Sequence, residues 1–169
     1  MNHIYVTGPN ELEFLGQKYT CAIGKHGFTD TPQEGAKKTP LGSFYLRECW
    51  YRPDRVTPPE TKLKLRPIAE DDGWCDAPEH KDYNKHVKLP FPASHEKLWR
   101  EDHMYDIIVP IGFNDTEIVP GKGSAIFFHL AKPDYSPTLG CVAISLEHML
   151  EILRTVDETT LIVINPVRP

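Results

Sequence analysis

Sixteen of the 169 residues are proline, about twice the ordinary share of ~5%. Proline fixes φ and lacks a backbone N–H, so a chain this rich in it favours short strands joined by rigid turns over long helices. β-rich runs recur at Ile4–Val6, Leu12–Leu15, Tyr19–Ile23, Phe44–Tyr51, Tyr105–Ile111, Ser124–His129, Cys141–Ile144 and Thr160–Ile164, and Gly, Pro, Asn or Asp punctuates most of their boundaries. A mainly β sandwich or barrel is expected. Around Ser145 the period changes: Ser145 can cap a helix that places Leu146, Met149, Leu150 and Leu153 on one face. The segment from Arg52 to Arg100 is dense in Pro, Lys, Asp, Glu and Trp and lacks periodicity, so it reads as a lid-like excursion about 52–100, with Ser94–Arg100 as a second short helix.

Length and charge narrow the function classes. A chain of 169 residues suits one domain over 1–169. With 19 Lys and Arg against 24 Asp and Glu, the formal charge is −5, without the basic surplus that nucleic acid or anionic lipid calls for. The longest apolar stretches, Ala125–Ala131 and Leu161–Val167, are far short of the ~20 residues of a membrane span. The opening residues, Met1 to Pro9, show no positively charged start leading into an apolar segment, so no export leader is expected in this sequence. Nothing in it specifies an oligomer.

The four cysteines, Cys21, Cys49, Cys75 and Cys141, form no C-x-x-C pair and are too scattered for a disulfide framework. Cys21 and Cys49 lie in apolar runs and read as buried core thiols. Cys75 is expected to be an exposed thiol. Although Asp76, Glu79 and His80 follow it, the paired-ligand spacing of a structural zinc site is missing, so no metal is expected.

The stretch from Phe127 to Ala143 is the most informative. It ends one strand at His129 and opens the next at Cys141, with an eleven-residue loop between. Neighbouring strands joined this way can bring a sulfur back to an imidazole, which would hold a thiolate–imidazolium pair near neutral pH. Gly140, just before Cys141, permits a tight turn and bares backbone amides of Gly140 and Cys141 for an oxyanion. The plainer reading is a buried thiol beside a core histidine.

A second stretch, Thr39-Pro40-Leu41-Gly42-Ser43-Phe44, makes a turn into a β-run. Taken with His129 and Thr138-Leu139-Gly140-Cys141-Val142, it resembles the YkuD-type L,D-transpeptidase catalytic domain. That family carries Thr-Pro-x-Gly-x-Phe/Tyr early, then a His followed by Ser-x-Gly-Cys-Ile/Val-Arg. Here Thr138 takes the Ser place, while Leu130, Leu139 and Ala143 stand where Gly, His and Arg are frequent. The windows Asp71–Asp76, Tyr83–Lys85 and Leu89–His95 look like the insertion of a distinct proteobacterial branch, which implies an atypical cross-link chemistry.

The resemblance implies a YkuD-like β-sandwich of mixed sheets and a cofactor-free reaction on peptidoglycan stem peptides. Cys141 would attack the carbonyl of an L-centre to D-centre bond, and the amine of a second stem, commonly diaminopimelate, would resolve the acyl-enzyme. His129 would carry the proton, and the substrate would place the chain in the periplasm. Thr138, Tyr135 and Asp134 are candidates to line the substrate site, with Trp74, Tyr83 and His95 as its far wall. An L,D-carboxypeptidase with the same Cys–His pair, and a catalytically silent wall-binding module, are the alternatives. Lys37, Lys38 and Lys132 read as solubilising.

Overall fold

The computed structural model describes residues 2–166. Met1 and residues 167–169, which the single-domain expectation includes and into which the apolar stretch ending at Val167 runs, lie outside the described residues. In chain order the strands begin with β1 (Ile4–Gly8), β2 (Glu11–Phe14), β3 (Gln17–Thr20), β4 (Phe28–Thr29), β5 (Thr39–Pro40), β6 (Gly42–Tyr45), β7 (Cys49–Tyr51) and β8 (Leu65–Pro67). They continue with β9 (Asp72–Cys75), β10 (His86–Lys88), β11 (His95–Lys97), β12 (Ile107–Pro110), β13 (Phe127–Leu130) and β14 (Val142–Ile144). Helix α1 (Leu146–Leu153) and strand β15 (Leu161–Ile164) close the order.

Two mixed five-stranded sheets, ordered β3-β2-β1-β15-β6 and β14-β13-β12-β7-β8, enclose the main core. Strand alternation builds it. Leu12 and Phe14 turn inward from β2 while Glu11 and Glu13 are only half-buried, and Phe128, Leu130, Val142 and Ile144 meet them from the second sheet. The mainly β sandwich is as expected, and so is the helix: the Ser145 hydroxyl accepts the His148 N–H at 3.2 Å as its N-cap. Its buried side chains are Met149, Ile152 and Leu153, and Leu146 is exposed. The inward face is therefore turned by a residue from the one the Leu spacing suggests.

The second sheet is covered on its other side too. All four residues of β13 and all three of β14 are buried, which explains why those strands read as continuous apolar runs rather than alternating ones. The covering layer is the excursion. It carries a three-stranded sheet, β10-β9-β11, and Trp50, Ile68, Leu98, Tyr105, Ile108, Ala125, Phe127 and Cys141 pack into a second core beneath it. Ser94–Arg100 is thus not helical: His95–Lys97 pairs antiparallel with β9, because strand pairing supplies the backbone bonds that an isolated seven-residue helix cannot make up.

Two arginines clamp the base of the excursion. Arg52, 3% exposed, donates bidentately to Asp54 and to the Arg100 carbonyl at 2.6 Å, and its guanidinium lies 3.6 Å over the Trp99 ring. Arg55 donates to the carbonyls of Glu101 and Asp102 and to the Asp106 carboxylate. Cys75, expected to be exposed, is fully buried with Ala77 and Val87 on the outer face of β9. The cause is again pairing: two flanking strands and the Phe91–Ala93 segment cover it.

Candidate active site

Strands β13 and β14 run parallel with His129 opposite Ala143 and Phe128 opposite Val142. Period two then places Phe127 and His129 on the same face as Cys141 and Ala143, the face under the excursion. The two chemical residues are thus diagonal neighbours on adjacent strands, 6% and 2% exposed.

The residue types earlier in the chain mount the cysteine. Gly140 adopts φ +137°, and a Cβ there would stand 3.0 Å from the Lys38 carbonyl oxygen, so only glycine fits. The Thr39 hydroxyl donates to the Gly140 carbonyl at 2.9 Å and accepts the Gly24 N–H at 2.8 Å. The two sequence motifs, 101 residues apart, are therefore joined by one hydrogen bond. Thr138, 7% exposed, uses its hydroxyl twice, donating to the Cys141 carbonyl at 2.7 Å and accepting the Gly140 N–H at 3.1 Å. Its place is to brace the nucleophile loop.

The Cys141 thiol donates to the Ala125 carbonyl at 3.2 Å and accepts the Phe127 N–H at 3.3 Å. Burial pushes it up to about 12, the Glu96 carboxylate pushes the same way, and only the Phe127 N–H opposes them. His129 goes down to about 4 because burial outweighs the Leu130 carbonyl, which its Nδ1–H contacts at 2.8 Å. Among the described residues no hydrogen bond joins Cys141 to His129. Burial disfavours both the thiolate and the imidazolium, so it works against the expected thiolate–imidazolium pair. With Nδ1–H spent on Leu130, the lone pair of His129 resides on Nε2.

The remaining wall comes from the excursion and from the turn that leads into β12. Trp74 lies edge-on to Phe127 at 5.1 Å between centroids, and Tyr105 is edge-on to Phe127 at 5.7 Å and to His129 at 5.3 Å. The Tyr105 hydroxyl donates to Glu96 at 2.6 Å. Asn84, 5% exposed, accepts from the Trp74 indole at 2.9 Å and from the Ala125 N–H at 3.0 Å. Its amide nitrogen donates to Phe113 and Asn114 carbonyls, so it ties the excursion to the residue that holds the thiol. A cavity of about 950 Å³, walled in part by Trp50, Arg66, Trp74, His86 and Phe127, opens alongside but reaches neither Cys141 nor His129.

Of the residues singled out in the sequence, the fold brings together Cys141, His129, Gly140, Thr138 and Trp74. His95 lies on the opposite face of β11, because it pairs with Cys75 while Glu96 pairs with Trp74; its Nδ1 contacts the Ala93 carbonyl. Tyr83 is 2% exposed and locked between Glu34 and the Gly123 N–H, which leaves no free hydroxyl for a substrate wall. Asp134 is exposed and caps the Ser136 N–H, and half-buried Tyr135 occupies the same loop at φ +53°. Sequence reasoning missed Thr39, Asn84, Glu96 and Tyr105. Thr39 stands in the Thr-Pro turn and Asn84 in the Tyr83–Lys85 window, and Glu96 is hidden beside His95.

No curated protein and no solved structure matches the chain. The family model of the L,D-transpeptidase catalytic domain, YkuD, matches residues 5–164, a span that runs from β1 to β15 and takes in Thr39, His129, Gly140 and Cys141 alike. The chain belongs to the YkuD family of L,D-transpeptidase catalytic domains.

Proposed function

We propose that this chain is a cysteine acyltransferase that cross-links peptidoglycan stem peptides through an acyl-Cys141 intermediate, with a cross-link of atypical type, and that it works in the periplasm, where that substrate lies. One observation carries the reading: Cys141 and His129 share a face of adjacent parallel strands, within the span that the family model matches. The thiol proton, held on the Ala125 carbonyl at rest, passes to Nε2 of His129 as the sulfur attacks the stem carbonyl. His129 then gives it to the departing amine. The Gly140 N–H is already engaged by Thr138, so the developing oxyanion falls to the amide of Cys141. An incoming stem amine, deprotonated by the same imidazole, takes the acyl group and restores the thiol.

Mass spectrometry of defined muropeptides incubated with the purified chain tests this. Cross-linked dimers should form with an amine acceptor present, and Cys141→Ala should form neither dimers nor a protein-bound acyl group. Trimmed monomers alone would overturn the transferase reading in favour of the hydrolase, and sacculus binding without any product would favour the silent module.

A further inference from the structure

Glu96 is the carboxylate that the chemistry just described leaves without a task. It is the central residue of β11 and pairs with Trp74, which puts its side chain on the inner face of the small sheet. One oxygen accepts the Tyr105 hydroxyl at 2.6 Å, and the Tyr105 ring borders both Phe127 and His129. The other oxygen has no hydrogen-bond partner among the described residues and keeps some contact with solvent. Nor, among the described residues, does it form an ion pair. Arg100, whose charge acts on it, is spent on Asp102 at 2.6 Å and stacks 5.1 Å over Tyr105, while burial pushes the Glu96 carboxyl upward and Asp76 and Glu34 add negative field.

Such a group works against the nucleophile of the empty site, because its charge opposes ionisation of Cys141. Ala143, opposite His129, supplies no compensating cation. The missing charge must therefore arrive with the first substrate, since the sulfur has to be activated before any acyl-enzyme exists. We propose that Glu96 binds an ammonium group at the end of the side chain of the donor residue whose carbonyl is attacked, and that this contact both selects the donor and relieves the negative field on Cys141. The proposal rests on the acyltransferase reading above. Contact with an ammonium keeps Glu96 ionised and pairs it through the unused oxygen. Trp74 pairs with it from β9, and the charged and titratable groups that act on it are Asp76, Glu34, Arg100, Tyr105 and Cys141.

The test compares wild type, Glu96→Gln and the charge-conserving Glu96→Asp. Acylation of Cys141 is followed by mass spectrometry with two synthetic stem tetrapeptides that differ only in whether the diaminopimelate side-chain amine is free or acetylated. Wild type should prefer the free amine by roughly ten- to a hundredfold, the size of a hydrogen bond to a charged group. Glu96→Asp should keep much of that preference and Glu96→Gln should bring it near unity. In the absence of peptide, Cys141 of Glu96→Gln should react with uncharged iodoacetamide at lower pH than wild type. Equal acylation of wild type by both peptides, a preference that survives Glu96→Gln, or identical alkylation profiles overturns this proposal alone. Failure of wild type to be acylated by either peptide overturns the acyltransferase reading with it.

Discussion

Thr39 shows how much a single hydroxyl can hold. Fully buried, it bonds at once to the Gly140 carbonyl and the Gly24 amide, and it thereby sets the angle at which Cys141 enters β14. Thr39→Val keeps the shape and removes both bonds. The expected result is a stability loss of about 1–3 kcal/mol, read by denaturant titration, and a fall in acylation rate of up to ~100-fold, the size of effect a displaced reacting atom can have. Stem-peptide binding to a Cys141→Ala background should be unaffected, which separates positioning from contact. His129→Gln should arrest acylation while leaving the sulfur open to alkylation at high pH, since the glutamine amide cannot accept the thiol proton. Single residues were legible to different depths. Cys141 and His129 announce themselves through residue type and motif, whereas Thr39 passes for a turn residue because its partner is 101 positions away. Asn84 has no periodic signature at all.

At the scale of elements, the excursion is a layer fastened at two places. Arg52 and Arg55 close its base, and Asn84 pins its middle to Ala125. Arg52→Lys is not conservative here, because a lysine cannot make the fork to Asp54 or stack flat on Trp99. Hydrogen exchange of that variant should show faster exchange across residues 65–106 with the β1–β15 ladder still protected, and uniform loosening of both sheets would contradict a separately fastened layer. Asn84→Ala should act similarly at the other end, by baring the Ala125 N–H and the Trp74 indole, at about 1–3 kcal/mol for each buried group left unsatisfied. The excursion was the least legible part of the sequence. Its boundaries are visible from composition, but the strands of its small sheet are three or four residues each, too short for any period to emerge, as at His95–Lys97 within the expected helix Ser94–Arg100.

For the molecule as a whole, buried ionisable groups bound the pH range. Cys21, Cys49 and Cys141 all rise to about 12 from 9.0, chiefly through burial, so each stays protonated in the folded chain after the unfolded chain has lost its proton. Their contribution to stability is complete below about pH 9 and is lost as pH climbs towards 12. His129, lowered from 6.5 to about 4, has the opposite sign: its contribution is complete above 6.5 and is lost as pH falls through 4. These groups together predict a melting-temperature plateau between about pH 6.5 and 9 with decline on both sides. Replacing His129 with Gln should flatten the acid limb, as calorimetry across that range would show. The sandwich was legible from proline content and strand runs because those act locally. That one sheet would be covered on both sides was not, since nothing in β13 or β14 says what the second cover is.

That double cover gives adjacent residues different masters. Phe128 looks into the sandwich and Phe127 towards the chemistry, though they are consecutive in the chain. An engineer therefore has two independent dials on one strand: repacking around Phe128 tunes heat tolerance, and repacking around Phe127 tunes which donor is accepted.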